Sequence, residues 1–168
     1  MKKETKIAIF AFTLLIAMAV PVYFYQRQTA GPENTIKIRG AVTTPANITL
    51  SELKAFMSVN CTVTASSSSH PEDSGTFNYK GVSLRTILEK AHVSENATSV
   101  YVQASDGYGT TLPIQDVIQN EKAILAYEKD GAPMKALKDG GEGPIRLVIG
   151  TDQFAQRWIK GVAVIEVS

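Results

Sequence analysis

The sequence is poor in cysteine and histidine. Its 168 residues include one cysteine, Cys61, and two histidines, His70 and His92. A single cysteine excludes an intramolecular disulfide, and so few sulfur and imidazole ligands argue against a structural zinc site. Basic residues exceed acidic ones by only one, so no basic surface is expected to attract nucleic acid. The composition therefore argues against a zinc module and a nucleic-acid-binding protein.

Two catalytic patterns are also missing from the sequence. No Gly-x-Gly-x-x-Gly motif follows a predicted strand, which argues against a dinucleotide-binding fold. No nucleophile with a nearby base and no close pair of carboxylates stands out, so no acid–base catalytic residue is predicted.

Residues 7–25 form a long uncharged apolar run, IAIFAFTLLIAMAVPVYFY. As a helix this run would be about 28 Å long, close to the hydrocarbon thickness of a bilayer. Lys2, Lys3 and Lys6 precede it, and an excess of positive charge marks the cytoplasmic side. The sequence therefore predicts a cytoplasmic tail over residues 1–6, a single transmembrane helix over 7–25, and an extracytoplasmic domain. The alternative is a signal peptide that is removed after export.

The rest of the chain predicts one folded domain. Residues 26–34 are polar and contain glycine and proline, which is typical of a short linker. Residues 35–168 are numerous enough to bury a core without covalent cross-links. Asn47, Asn60 and Asn96 each begin an Asn-x-Thr sequon for glycosylation, and the sequence leaves their use open.

Most strands of the domain are predicted from alternating or β-branched residues. Apolar and polar residues alternate over 35–39, 59–65 and 100–104, as in half-buried strands. The runs 145–149 and 162–167 are rich in β-branched residues and predict buried strands.

Three short helices are predicted between these strands. Thr49 and Glu52 have the spacing of a capping box at the start of the first helix. The second covers about residues 83–91, where apolar residues repeat with helical spacing and Ser83 is the predicted N-cap. The third follows Pro113. Because strands and helices do not alternate strictly, the sequence predicts an α+β fold of short mixed elements.

A set of short motifs also runs through the domain in a fixed order. Two of them are Gly-Val-x-Leu at 81–84 and Gly-Pro-x-Arg-Leu-Val at 143–148. The whole set comprises residues 79–88, 104–108, 111–114, 124–128, 130–133, 143–149, 157–160 and 164–167. In order and spacing this set resembles the oxidoreductase molybdopterin-binding domain. The resemblance implies the sulfite-oxidase-like fold over most of the domain.

The resemblance also implies a molybdopterin (molybdenum) cofactor, held by backbone groups and by a few cations around its phosphate. Arg146 is at the position of a family arginine, and Arg157 is close to a position where the family often has a phosphate-binding lysine. A guanidinium suits a dianionic phosphate because it donates parallel hydrogen bonds. Ser105 lies near a family position that contacts the cofactor. Arg146, Arg157 and Ser105 are therefore the predicted cofactor-binding residues.

Catalytic members of the family bind molybdenum through a cysteine thiolate upstream of the Gly-Val-x-Leu motif. The corresponding position here falls in a serine run near Ser69, whereas Cys61 lies further upstream inside a predicted strand. Cys61 shares a strand face with Val59 and Val63, which predicts a buried packing thiol. Cys61 is thus only a weak candidate for a metal ligand, and no other ligand is predicted.

Two functions remain open at this point. The first is a membrane-anchored domain that binds the cofactor within a redox enzyme, with a redox partner protein and a small oxo-anion or oxide as substrate. The second is a tethered binding or interaction module that keeps the fold without cofactor. Fold alone does not decide between them.

Overall fold

The computed structural model describes residues 34–66, 74–152 and 154–168. The predicted cytoplasmic tail, the predicted transmembrane helix and all but the last residue of the predicted linker lie outside these ranges. None of the helices within the described ranges has the length and apolar character required to cross a bilayer. Gly31–Ser168 forms one compact unit.

A first sheet contains five strands. They are β1 (Thr35–Gly40), β2 (Ala46–Thr49), β5 (Ser99–Ala104), β6 (Gly109–Pro113) and β10 (Val162–Val167). Their order across the sheet is β2-β1-β10-β5-β6. β1 and β10 are parallel, and the other neighbours are antiparallel. The first and last strands of the domain therefore lie side by side in the centre of this sheet.

A second sheet is antiparallel throughout. Its strands are β3 (Val59–Ala65), β4 (Gly75–Ser83), β7 (Ala123–Lys129), β8 (Ala132–Pro133) and β9 (Arg146–Ile149). The order is β3-β4-β7-β8, and β9 also pairs with β7. Asp130 and Gly131 connect β7 to β8 with positive φ angles of 52° and 80°, as a two-residue hairpin turn requires.

Three short helices connect the strands: α1 (Leu50–Ala55), α2 (Leu84–Lys90) and α3 (Ile114–Gln119). The predicted capping box of α1 is confirmed. The Thr49 hydroxyl accepts a hydrogen bond from the Glu52 amide at 3.2 Å, and the Glu52 carboxylate accepts one from the Thr49 amide at 2.8 Å.

Ser83 occupies the predicted N-cap position of α2, but its side chain makes no capping hydrogen bond. It is the last residue of β4 and is buried, and its hydroxyl has no hydrogen-bond partner among the described residues. The sheet therefore determines the position of Ser83 more than the helix does.

The core follows the predicted periodicity. Val100, Val102 and Ala104 of β5 are buried while their neighbours are less so, and all four residues of β9 are buried. The runs that were rich in β-branched residues are the buried strands β9 and β10. The predicted α+β fold with short mixed elements is confirmed for the described residues.

Candidate functional site

A pocket of about 310 Å³ is lined by residues from both sheets. The lining residues are Ala65, Ser66, Phe77, Tyr79, Ala104, Asp106, Tyr108, Lys129, Glu142, Arg146, Phe154, Ala155, Trp158 and Lys160. We call this the site pocket. Its volume is at the lower end of the range for small-molecule sites, and it combines aromatic walls with a few charged groups, as such sites do.

Arg146, the first residue of β9, is the most buried cation of the site pocket, with 7% of its surface exposed. Its Nη1 donates to the Tyr79 hydroxyl at 3.2 Å and forms an ion pair with Glu142. The guanidinium carbon also lies 5.1 Å from the centroid of the Trp158 ring, within cation–π distance. Its Nε has no hydrogen-bond partner among the described residues, which leaves one buried donor for a ligand or water to satisfy.

Glu142 connects Arg146 to a second cation. Its Oε1 accepts from Lys129 Nζ at 3.0 Å, and its Oε2 contacts Arg146 Nη1. Burial acts to raise the pKa of Glu142, but the charges and hydrogen bonds of Arg146 and Lys129 outweigh it and hold that pKa below its ordinary value. Glu142 is therefore ionised at neutral pH. We call Lys129, Glu142 and Arg146 the Lys-Glu-Arg cluster; its formal charge is +1.

Aromatic side chains form the rigid wall beside this cluster. Tyr79 and Trp158 meet edge to face with their ring centroids 5.8 Å apart. The Trp158 indole donates to the Ile149 carbonyl at 3.0 Å, which fixes its orientation. Lys129 Nζ lies 4.1 Å from the centroid of the Phe77 ring. The wall therefore offers flat apolar surface next to positive charge.

Ser105 follows β5 directly and lies next to the site pocket without lining it. Its two neighbours, Ala104 and Asp106, do line the pocket. The Ser105 amide donates to the Gly161 carbonyl at 3.0 Å, and the Gly161 amide donates to the Glu142 carbonyl at 3.0 Å. Ser105 thus helps to hold the chain segment that carries Glu142, through its backbone.

Arg157 lies outside the site pocket. It lines a separate pocket that includes Asp116 and Thr151. Its Nε and Nη2 donate to the two carboxylate oxygens of Asp152 at 2.8 and 2.5 Å. These hydrogen bonds raise its pKa, and the pair leaves little of the guanidinium fork for a phosphate. The structure therefore does not bring Arg157 and Arg146 together around one ligand.

Cys61 lies in β3 and is buried. Its Sγ is 4.0 Å from the Lys122 carbonyl oxygen and packs against Gly150, neither of which lines the site pocket. The strand reaches the pocket at Ala65, about 13 Å further along at the usual rise per residue. Burial raises the pKa of the Cys61 thiol, which opposes formation of a thiolate. These contacts favour a packing role.

Sequence reasoning missed two members of the Lys-Glu-Arg cluster. Lys129 is the last residue of β7 and lies in none of the family motifs. Glu142 is four residues before Arg146, a spacing that brings side chains together on a helix, but this segment is not helical. The ion pair between Lys129 and Glu142 joins the end of β7 to the segment before β9, two parts of the chain that no local pattern brings together.

Comparison with known proteins identifies the family. Residues 25–168 match the oxidoreductase molybdopterin binding domain. The chain belongs to this family. The uncharacterized oxidoreductase YuiH of Bacillus subtilis (strain 168) is 34% identical over 86 residues, which is 50% of this chain and 41% of that protein. The predicted family resemblance is confirmed.

The fold is shown by a solved structure as well. The sulfane dehydrogenase SoxCD from Paracoccus pantotrophus matches with a TM-score of 0.69 and 21% sequence identity, over 82% of this chain and 39% of the matched chain. The chain therefore corresponds to less than half the length of either relative. The likeness to SoxCD establishes the sulfite-oxidase-like fold of the domain.

The site pocket fits one part of the family cofactor better than the other. Arg146 supplies buried and Lys129 half-buried positive charge that suits a phosphate. Arg146 Nε has no partner among the described residues, and aromatic side chains lie beside both cations. The molybdenum–thiolate bond has no counterpart in the pocket, because the one cysteine of the chain packs elsewhere. The residues fit an anionic pterin and do not fit thiolate ligation of the metal.

Proposed function

We propose that this protein is a membrane-anchored, extracytoplasmic domain that binds a molybdopterin-type ligand in the site pocket. One observation carries the proposal: the buried guanidinium of Arg146 lines the site pocket, contacts Tyr79 and Trp158, and has an Nε donor with no partner in the part of the chain that the structure describes. A buried, oriented cation with a spare donor is costly unless water or a ligand completes its hydrogen bonds.

The chemistry of such a ligand matches the lining. The phosphate lies near Arg146 and Lys129 in this proposal, and the flat pterin ring lies along the aromatic wall. Tyr108 and Phe154 are exposed aromatic residues that also line the pocket and would cover the outer part of the ring. Arg157 has no part in binding, because Asp152 already occupies its guanidinium.

We further propose that binding, and not sulfite-oxidase-type catalysis, is the main role. This follows from the position of Cys61, whose sulfur contacts Lys122 and Gly150. The second candidate is a redox enzyme that acts on a small oxo-anion or oxide together with a redox partner protein. It is favoured by the positive charge of the pocket and by the names of the two relatives, an oxidoreductase and a dehydrogenase.

The test is the pterin and molybdenum content of the full-length chain, purified in detergent from a host that makes molybdenum cofactor. Pterin is measured by the fluorescence of its oxidised form and molybdenum by mass spectrometry. Pterin near one per chain supports the proposal, and oxidation of a small oxo-anion by the loaded protein would support the second candidate. A chain without pterin, from a host that loads a known family member, would contradict both.

The membrane location needs its own experiment. The proposal expects the full-length chain to stay in the membrane fraction after an alkaline wash. A protease added from outside should digest the domain only in cells whose outer barrier has been opened. Deleting residues 7–25 should leave the protein in the cytoplasm. A shortened wild-type protein released from the membrane would show a cleaved signal peptide instead.

A further inference from the structure

β3 lies at the edge of the second sheet, where β4 is its only neighbour among the described strands. The two strands pair along all seven residues of β3 without a register shift. An edge strand turns alternate N–H and C=O groups away from its own sheet, where they can pair with another strand. Outside β4, no described residue makes a backbone hydrogen bond with the backbone of β3. In the described part of the chain, one long side of β3 therefore has no partner strand.

The other sheet ends are shorter than β3 or end in proline. β2 has four residues, β6 has five and ends at Pro113, and β8 has two and ends at Pro133. Proline, charged side chains and bulges are the usual protection of an exposed edge against pairing. β3 has none of these, and no aspartate, glutamate, lysine or arginine lies between Lys54 and Glu72. Four of its seven residues are β-branched, which favours the extended backbone that pairing requires.

The side chains of β3 alternate regularly between its two faces. Asn60, Thr62 and Thr64 are exposed, and Cys61, Val63 and Ala65 are buried. If two β3 strands run antiparallel about a two-fold axis at Thr62, residues of the same face lie opposite each other. The opposed pairs are Thr62 with Thr62, Asn60 with Thr64, Cys61 with Val63, and Val59 with Ala65. The strand is therefore complementary to itself, as a two-fold interface must be.

We propose that two copies of this chain pair through β3 as antiparallel strands and join their second sheets into one continuous sheet. The charge pattern supports a second copy as the partner, because a charged edge would repel its own copy and β3 carries no charge. Threonines that face each other across antiparallel strands also stabilise the pairing. The proposal goes beyond the proposed function and needs no ligand. Residues 59–64 do not line the site pocket, so variants there leave its lining unchanged.

A cysteine cross-link tests the register. In the proposed dimer the two Thr62 Cα atoms are about 4.5–5.5 Å apart, within the range of a disulfide. Thr76→Cys is the matched control, because Thr76 is exposed on β4 and its hydroxyl contacts Thr64 at 3.1 Å, as the Thr62 hydroxyl contacts Asn78 at 2.8 Å. The two Thr76 residues would be about three strand spacings apart, roughly 14 Å, which is too far for a disulfide.

Both full-length variants are oxidised in membranes with copper phenanthroline and separated on a non-reducing gel. Wild type, whose one cysteine is buried, gives the background. Thr62→Cys should become mostly a covalent dimer, and Thr76→Cys should stay at the background. If Thr62→Cys formed no more dimer than Thr76→Cys, the inference would be overturned.

A pair of lysine variants tests the interface without a covalent bond. Thr62→Lys places two like charges opposite each other at the two-fold axis, and the dissociation constant of the dimer should rise at least about tenfold. Thr76→Lys places the same charge one strand away and should change it little. Sedimentation of the full-length chain in detergent measures these constants, and circular dichroism checks folding. Equal constants for wild type and folded Thr62→Lys would mean that the copies associate elsewhere, and the inference would be wrong.

The outcome is separable from that of the proposed function. A monomeric chain that carries pterin would contradict the inference and uphold the proposed ligand. A chain without pterin that cross-links at Thr62→Cys and dissociates in Thr62→Lys would do the reverse.

Discussion

Gly143 and Gly161 cross in direct contact: a Cβ atom added to Gly143 would lie 2.4 Å from the Cα of Gly161. Gly143 follows Glu142, and Gly161 follows Lys160, so this crossing places two residues of the site pocket. Gly143 also has a φ of 87°, a backbone angle that residues other than glycine rarely adopt. The crossing is thus possible only with glycine at Gly143.

Gly143→Ala is expected to destabilise the domain by about 3 kcal/mol, because backbone strain and a backbone clash add together. Gly107→Ala is the matched control, since Gly107 has a φ of 92° and open space around its Cα. Gly107→Ala should lower the free energy of unfolding by only about 1 kcal/mol, because backbone strain acts there without a clash. Urea unfolding of both variants measures the difference. Equal losses would show that the crossing is looser than the structure indicates.

Arg146→Met is expected to cost about 3 kcal/mol of folding free energy, because it leaves the Glu142 carboxylate buried with Lys129 as its remaining cation. The double variant with Glu142→Gln should lose less than the sum of the single variants, since neither charge is then left without its partner. Urea unfolding gives the three values. Simple additivity would mean that the two side chains are not coupled.

Acid is expected to reduce the contribution of Glu142 to the free energy of unfolding. Its pKa is lower in the folded chain than its ordinary value of 4.5, so its stabilising effect is complete above that value. The effect is lost as the pH falls through the lower, folded pKa. The difference in unfolding free energy between wild type and Glu142→Gln should therefore shrink from pH 7 to pH 3. Glu52, whose pKa is also lowered by Thr49, is present in both proteins and cancels. A difference that is constant over this range would contradict the assignment.

Cys61→Ala is expected to reduce stability by about 1 kcal/mol and to leave pterin content unchanged, because the thiol packs in β3 outside the site pocket. Val63→Ala, on the same buried strand face, is the control and should behave alike. The wild-type thiol should also react slowly with a thiol reagent until the protein is unfolded. If Cys61→Ala lost pterin while Val63→Ala kept it, Cys61 would take part in cofactor binding and the assigned packing role would be wrong.

The periodicity of the sequence was enough to predict the main elements of the described domain. Alternation predicted β1, β3 and β5, and the spacing of Thr49 and Glu52 predicted the start of α1. These features are local, because each depends on residues within one turn or one strand. The turn-like strand β8 and the edge strand β6 carry weaker local patterns and were not predicted.

The site was predicted only in part, for a physical reason. Arg146 was found because its segment resembles a family motif. Its partner Glu142 lies outside that motif, and Glu142 meets Lys129 only once the end of β7 lies beside the segment before β9. The same limit explains why the surroundings of Arg157 were not predicted. Its neighbour Asp152 is close in sequence, yet the bidentate pair and the separate pocket emerge only when the loop after β9 is folded.

The measurement that tests the central claim most directly is the pterin content of two arginine variants of the full-length chain. Arg146→Ala should lose at least about nine-tenths of the pterin found in wild type, because Arg146 supplies the buried donor of the site pocket. Arg157→Ala should keep it, because Arg157 is paired with Asp152 outside that pocket. Circular dichroism must show both variants folded. Loss in Arg157→Ala with retention in Arg146→Ala would contradict the account and move the ligand to the other pocket.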